Sequence, residues 1–134
     1  MPFGGNDWLA LTQEPALEPE LPICDPHHHF WDYRTARIPY QRYLLDDLAA
    51  DINSGHNVRS TVFVEARSMY RASGPEEMKP VGEVEFVQGL AAASASGLYG
   101  PGRAAAAIVG HANLHLGDGV APVLEALQAA SPNR

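Results

Sequence analysis

Three short apolar segments alternate with three stretches of helical periodicity, and this alternation constrains the fold more than any single motif does. Residues 21–25 (LPICD) and 58–66 (VRSTVFVEA) read as strands. The β-branched core of the second, STVFVEA, predicts burial on both faces. Residues 104–110 (AAAAIVG) make a third, weaker strand, because alanine is a poor strand former. Between the first two strands, Leu44, Leu45, Leu48, Ala49 and Ile52 recur at helical spacing, with Asp46, Asp47 and Asp51 opposite and Gly55 as a stop. Residues 82–96 repeat the pattern through Val84, Val87, Leu90 and Ala91, and Gly97 ends it. A last helix, capped by Asp118, is expected through Pro122, Val123, Leu124 and Leu127 to Ala130, with Pro132 closing it. Strand, helix, strand, helix, strand, helix in repeats of about forty residues predicts an α/β chain with a parallel sheet of βαβ units. An open sheet of three strands leaves its edges and much apolar surface uncovered. The pattern therefore suits either a small three-layer α/β domain or the first part of a larger barrel, which takes about 250 residues when complete.

The flanking composition narrows the function classes. Residues 1–20 contain Gly4-Gly5, Pro2, Pro15 and Pro19 without periodicity and read as an irregular arm before a domain at 21–134. Residues 27–42, with Phe30, Trp31, Tyr33 and Tyr40, read as a long loop, and a second loop is punctuated by Ser73-Gly74-Pro75 and Pro80. The run GLYGPG from Gly97 lacks the Lys-Ser/Thr ending of a phosphate loop and reads as a turn. A net charge of -7 with nine scattered basic residues argues against nucleic acid as a partner. No apolar run approaches the roughly 18 residues of a membrane span, and no secretory leader is evident, so a cytoplasmic location is expected. The single cysteine, Cys24, fits a reducing compartment and is expected to be a small buried strand residue.

The histidine run DPHHHFWD, residues 25–32, carries the chemistry. In extended backbone successive side chains alternate, so His27 and His29 share one side while His28 faces away or packs. Two converging neutral imidazoles begin a zinc-type site, which needs three protein ligands and an open position when catalytic. The pair follows the first strand, where parallel α/β folds place their ligands, and Asp25 is a candidate acceptor for a ring N–H. A polar surface stretch is the competing explanation. Glu65 and Arg67, at the end of the second strand, are candidate substrate-binding residues, since a guanidinium fork suits a carboxylate. His111, closing the third strand, is a candidate for the same mouth. His56 and His115 suit solvated loops, and Tyr70 and Arg71 belong to a loop able to cover a substrate.

The segment LPICDPHHHFWD resembles the first-strand signature of the amidohydrolase superfamily, in particular its amidohydrolase-related, lactonase-like branch of TIM-barrel hydrolases. TVFVEARSMYRASGPEEMKPVGEVEFVQGLAAASASGLYG and AAAAIVGHANLHLGD are similar to the second and third βα units of that branch. The resemblance implies the first three βα units of a TIM (β/α)8 barrel, incomplete in this chain, with His27 and His29 matching first-strand metal ligands. The family's other ligands, on later strands, have no counterpart here. The implied activity is hydrolysis of a lactone, ester or amide bond of a small carboxylated substrate, with a divalent metal, zinc by preference, polarising the carbonyl and lowering the pKa of water. In a metal-free version His27 and His29 bind the substrate or the developing oxyanion, with His111 as a further catalytic candidate. A related decarboxylase, a truncated fragment that only binds metal or a partner chain, and a self-sufficient binding module are the alternatives. A homo-oligomer or a missing carboxyl-terminal part is among the expected partners.

Overall fold

A computed structural model describes residues 10–32 and 41–134. Much of the expected arm, and Tyr33 and Tyr40 of the first loop, lie outside the described residues. The chain forms β1 (Pro22–His28), α1 (Leu45–Ile52), β2 (Asn57–Val64), α2 (Val81–Ser94), β3 (Arg103–Val109) and α3 (Ala121–Ala130), with short 3-10 turns at Ala10–Thr12, Glu76–Met78 and Leu114–Val120. The sheet has three parallel strands in the order β1-β2-β3. It is therefore the mixed α/β arrangement that the alternation predicts.

One face of the sheet is covered. Leu45 and Leu48 of α1, Val87 and Ala91 of α2, Phe63 of β2 and Phe30 form a buried core with Ala104 and Ala105 of β3. Phe30 and Phe63 are fully buried and stack at 5.9 Å. The first turn of α1 is tied by the Leu44 N–H, which donates to Asp47 Oδ2 at 2.9 Å, and by Arg42, which bonds both Asp46 and Asp47. Among the described residues, no helix covers the opposite face. Register pairs Val62 with Ala107 and Val64 with Val109, so these alternate residues point away from the helices. Val109 is 50% exposed.

Four sequence expectations change. β1 does not stop before Pro26 but runs to His28, so His27 and His28 lie within it. The strand passes the proline through a register shift between Asp25 and His28, and an edge strand at a bulge tolerates a residue without an N–H. β2 is buried on one face only, through Thr61 and Phe63, while Val62 and Val64 are half-buried. Cys24 is exposed, because β1 is an edge strand and helices cover only one face. Asp118 does not cap α3: it falls within the preceding 3-10 segment, and α3 begins after Val120 with proline in its first turn and no side-chain cap.

β3 contains a second irregularity. Between Ser60↔Arg103 and Val62↔Ala107 the register shifts, and Ala105 takes a left-handed φ of 47°. The Thr61 hydroxyl, buried at this point, accepts the Ala105 N–H at 2.9 Å, and the Ser94 hydroxyl accepts the Ala104 N–H at 3.0 Å. Side chains thus replace ladder partners that the bulge removes. Of the alanine run, Ala104 and Ala105 belong to the buried core, while Ala107 is exposed on the other face.

His28 occupies the covered face. It is 7% exposed and meets Phe30 and Phe63 edge-on at 4.7 and 5.9 Å. Neither ring nitrogen has a hydrogen-bond partner, and burial pushes its pKa below the ordinary histidine value, partly offset by the backbone of His29. Leaving buried polar atoms unpaired costs about 1–3 kcal/mol, against about 0.5–1.5 kcal/mol for the aromatic contacts. His28→Leu is therefore expected to stabilise the chain by about 1 kcal/mol. A urea midpoint that rises with an unchanged slope bears this out, and a lower midpoint contradicts it.

Candidate functional site

The carboxyl ends of the three strands are laced together by two successive contacts. His29 Nδ1 lies 2.7 Å from the carbonyl oxygen of Val64, the last residue of β2. The next residue, Glu65, donates its N–H to the carbonyl of Val109, the last residue of β3, at 2.9 Å. His111 follows two residues later. The candidate residues of all three strands therefore share one rim of the sheet.

The His29 contact fixes a tautomer. A carbonyl oxygen only accepts, so His29 Nδ1 carries the proton and donates it to Val64, which leaves the lone pair on Nε2 in the neutral ring. That Nε2 lies 3.2 Å from His27 Nε2, with the rings edge to face at 4.8 Å. Without a cation, His27 Nε2 must donate for the two nitrogens to bond. Asp25 is not the ring acceptor that the sequence suggested. Its carboxylate instead accepts the backbone N–H of His27 at 3.1 Å, a local turn contact that shapes the bulge.

The imidazole pair can be tested against a metal on geometry alone. Tetrahedral zinc with Zn–N of about 2.0–2.1 Å separates two ligand nitrogens by roughly 3.3 Å. The observed 3.2 Å matches, and the Val64 carbonyl is the kind of outer partner that holds a ligating histidine in its tautomer. The pair fits as two ligands. Among the described residues no group of three or more His, Cys, Asp or Glu is placed to hold a metal ion.

Arg67 and His111 come together in a different place. They line a cleft of about 480 Å³ with Tyr70, Glu76, Glu77, Pro80, Asn113 and Leu116. His27, His29 and Glu65 do not line it. Glu65 Oε2 and the Tyr70 hydroxyl are buried without hydrogen-bond partners. Burial, reinforced by the charges of Glu83 and Glu65, pushes the Tyr70 phenol up to about 12, so it remains a neutral donor. Arg71 turns elsewhere: its guanidinium pairs with Glu85. His56 and His115 are exposed, and Asn113 accepts the His115 backbone N–H at 3.1 Å.

Sequence reasoning missed Glu83. It lies in the first turn of α2, is 1% exposed, and its Oε1 accepts the N–H groups of Ala66 at 2.9 Å and Ser68 at 2.7 Å. Desolvation raises its pKa above the ordinary carboxylate value, opposed by those two N–H bonds. The available signal was a glutamate set among the buried residues Val81, Gly82, Val84 and Val87. An unpaired carboxylate does not occupy an apolar helix face.

No protein family, curated protein or solved structure matches this chain. Among the described residues no helix is long and apolar enough to cross a membrane.

Proposed function

We propose that this chain supplies the first three βα units of a TIM-barrel hydrolase of the amidohydrolase-related kind, acting in the cytoplasm on a lactone, ester or amide bond of a small carboxylated molecule. The observation that carries the reading is the convergence of His27 Nε2 and His29 Nε2 at 3.2 Å, with the His29 lone pair aimed at the gap by the Val64 carbonyl. The sheet supports the barrel reading in a second way. Parallel sheets are normally covered on both faces, and here one face presents Val62, Val64 and Val109 with no layer above them among the described residues.

In this reading His27 and His29 hold a divalent metal, zinc by its nitrogen preference, and such an ion supplies Lewis acidity toward a carbonyl oxygen and toward water. Arg67 grips a substrate carboxylate through its planar fork, and the neutral Tyr70 hydroxyl and His111 donate to or accept from substrate oxygens in the same cleft. Glu65 stands at the rim next to Val64, with its N–H held by the Val109 carbonyl, and is the substrate-binding candidate outside the cleft. Without metal, the His27 ring N–H that now meets His29 is the donor available to an oxyanion.

A second reading is favoured by the count of ligands. Two imidazoles without a third ligand among the described residues suit a chain that binds metal but lacks turnover. One experiment separates the two. Opening of a carboxylated lactone near neutral pH, followed by acid release, is expected to accelerate when zinc is added to the chain and to return to the background rate in His27→Ala. Zinc binding without acceleration favours the second reading, lactone opening above background without zinc binding favours the metal-free version of the first, and neither zinc binding nor opening above background contradicts both readings.

A further inference from the structure

We propose that Glu83 is a positioning residue whose buried carboxylate clamps the loop between β2 and α2 so that Arg67 and Tyr70 face the cleft. The role given to Arg67 rests on the carboxylate reading above; the clamp itself rests on geometry. Both N–H groups that Glu83 Oε1 accepts flank Arg67, one on each side. Arg67 and Met69 both take left-handed backbone conformations, with φ of 58° and 53°. Two such residues in one short loop persist only where the surroundings over-determine them. Glu83 is one determinant, and Gly82 is the other. A Cβ at Gly82 would lie 2.7 Å from the Met69 carbonyl oxygen and 2.8 Å from the Arg71 nitrogen, so the loop rests directly on the helix backbone. The Arg71 N–H, donating to the Lys79 carbonyl at 3.0 Å, closes the loop beyond that point.

At the start of α2 the N–H groups of Gly82 and Glu83 already donate to the carbonyls of Lys79 and Pro80, at 3.1 Å each, and the Glu83 carboxylate turns to the loop. Ser68, whose N–H it takes, is itself 7% exposed, so the bond is made in a site that water does not reach. Arg67, between the two anchored amides, remains exposed and lines the cleft. The burial thus fixes the backbone while the guanidinium stays available.

The test uses the full chain, with malonate as the carboxylate probe and amide hydrogen exchange as the readout of the loop. Glu83→Ala is expected to remove the protection of the Ala66 and Ser68 amides and to weaken malonate binding by about tenfold or more, since a displacement near 1 Å is enough to spoil such a grip. Glu83→Gln keeps an acceptor oxygen and is expected to restore both, while zinc affinity is the same in all three proteins. If Glu83→Ala does not fold, Glu83→Asp, one methylene shorter, is expected to fold, to lose protection at those two amides and to weaken malonate binding with them. Unchanged protection at Ala66 and Ser68 overturns the clamp. Lost protection with unchanged malonate binding overturns its positioning role. If the unsubstituted chain does not bind malonate at Arg67, the carboxylate reading fails, and the exchange comparison still decides the clamp.

Discussion

Phe63→Ala is expected to lower the stability of the chain by about 3–5 kcal/mol, the range for removing a large side chain from a packed core. Phe63 is fully exposed to none of the solvent: its relative accessibility is 0%, and it joins the stack with Phe30 and the edge contact with His28. It is also the residue that the central strand contributes to the buried cluster containing Leu45 and Leu48 of α1 and Val87 and Ala91 of α2. Small domains have only about 5–15 kcal/mol of net stability, so the substitution removes a large share of it. Val109→Ala is the control. That side chain lies half-exposed on the open face, and its loss is expected to cost below about 1 kcal/mol. Urea unfolding of both variants checks the contrast, and equal losses would mean that the open face is buried in solution.

The second large effect is on metal. His29→Ala removes one of two convergent nitrogens and the ring that the Val64 carbonyl orients. Loss of a mere supporting partner costs about 10–100-fold in metal affinity, so loss of a ligand is expected to exceed that range. His28→Leu, one residue away but on the other face, is expected to leave zinc affinity unchanged. Competition titration against a chromophoric chelator measures both. A similar loss in the two variants would mean that the histidine run binds as a flexible cluster instead of through an aimed pair.

The elements themselves were legible because each has its own periodicity. Leu45, Leu48 and Ala49 at helical spacing in one stretch, and the β-branched core around Phe63 in another, fix helix and strand without reference to anything distant. The alternation of His27, His28 and His29 was legible for the same reason, since extended backbone sets it locally. What was hidden depends on contacts remote in sequence. The reach of β1 past Pro26 depends on pairing with β2, and the exposure of Cys24 depends on which sheet face the helices cover. The His29 tautomer requires a carbonyl 35 residues away, and the Glu83 bonds span 15 and 17 residues. The separation of the imidazole pair from the Arg67 and His111 cleft is likewise a matter of loop path, which no spacing in the chain encodes.

The most direct test of the imidazole pair is a zinc titration followed through the ring-nitrogen NMR signals of the histidines. The Nε2 signals of His27 and His29 are expected to move together and to saturate at one zinc per chain, while His29 Nδ1 keeps its proton and His28 is unmoved. A response confined to the exposed His56 and His115, or none at the pair, would contradict the site.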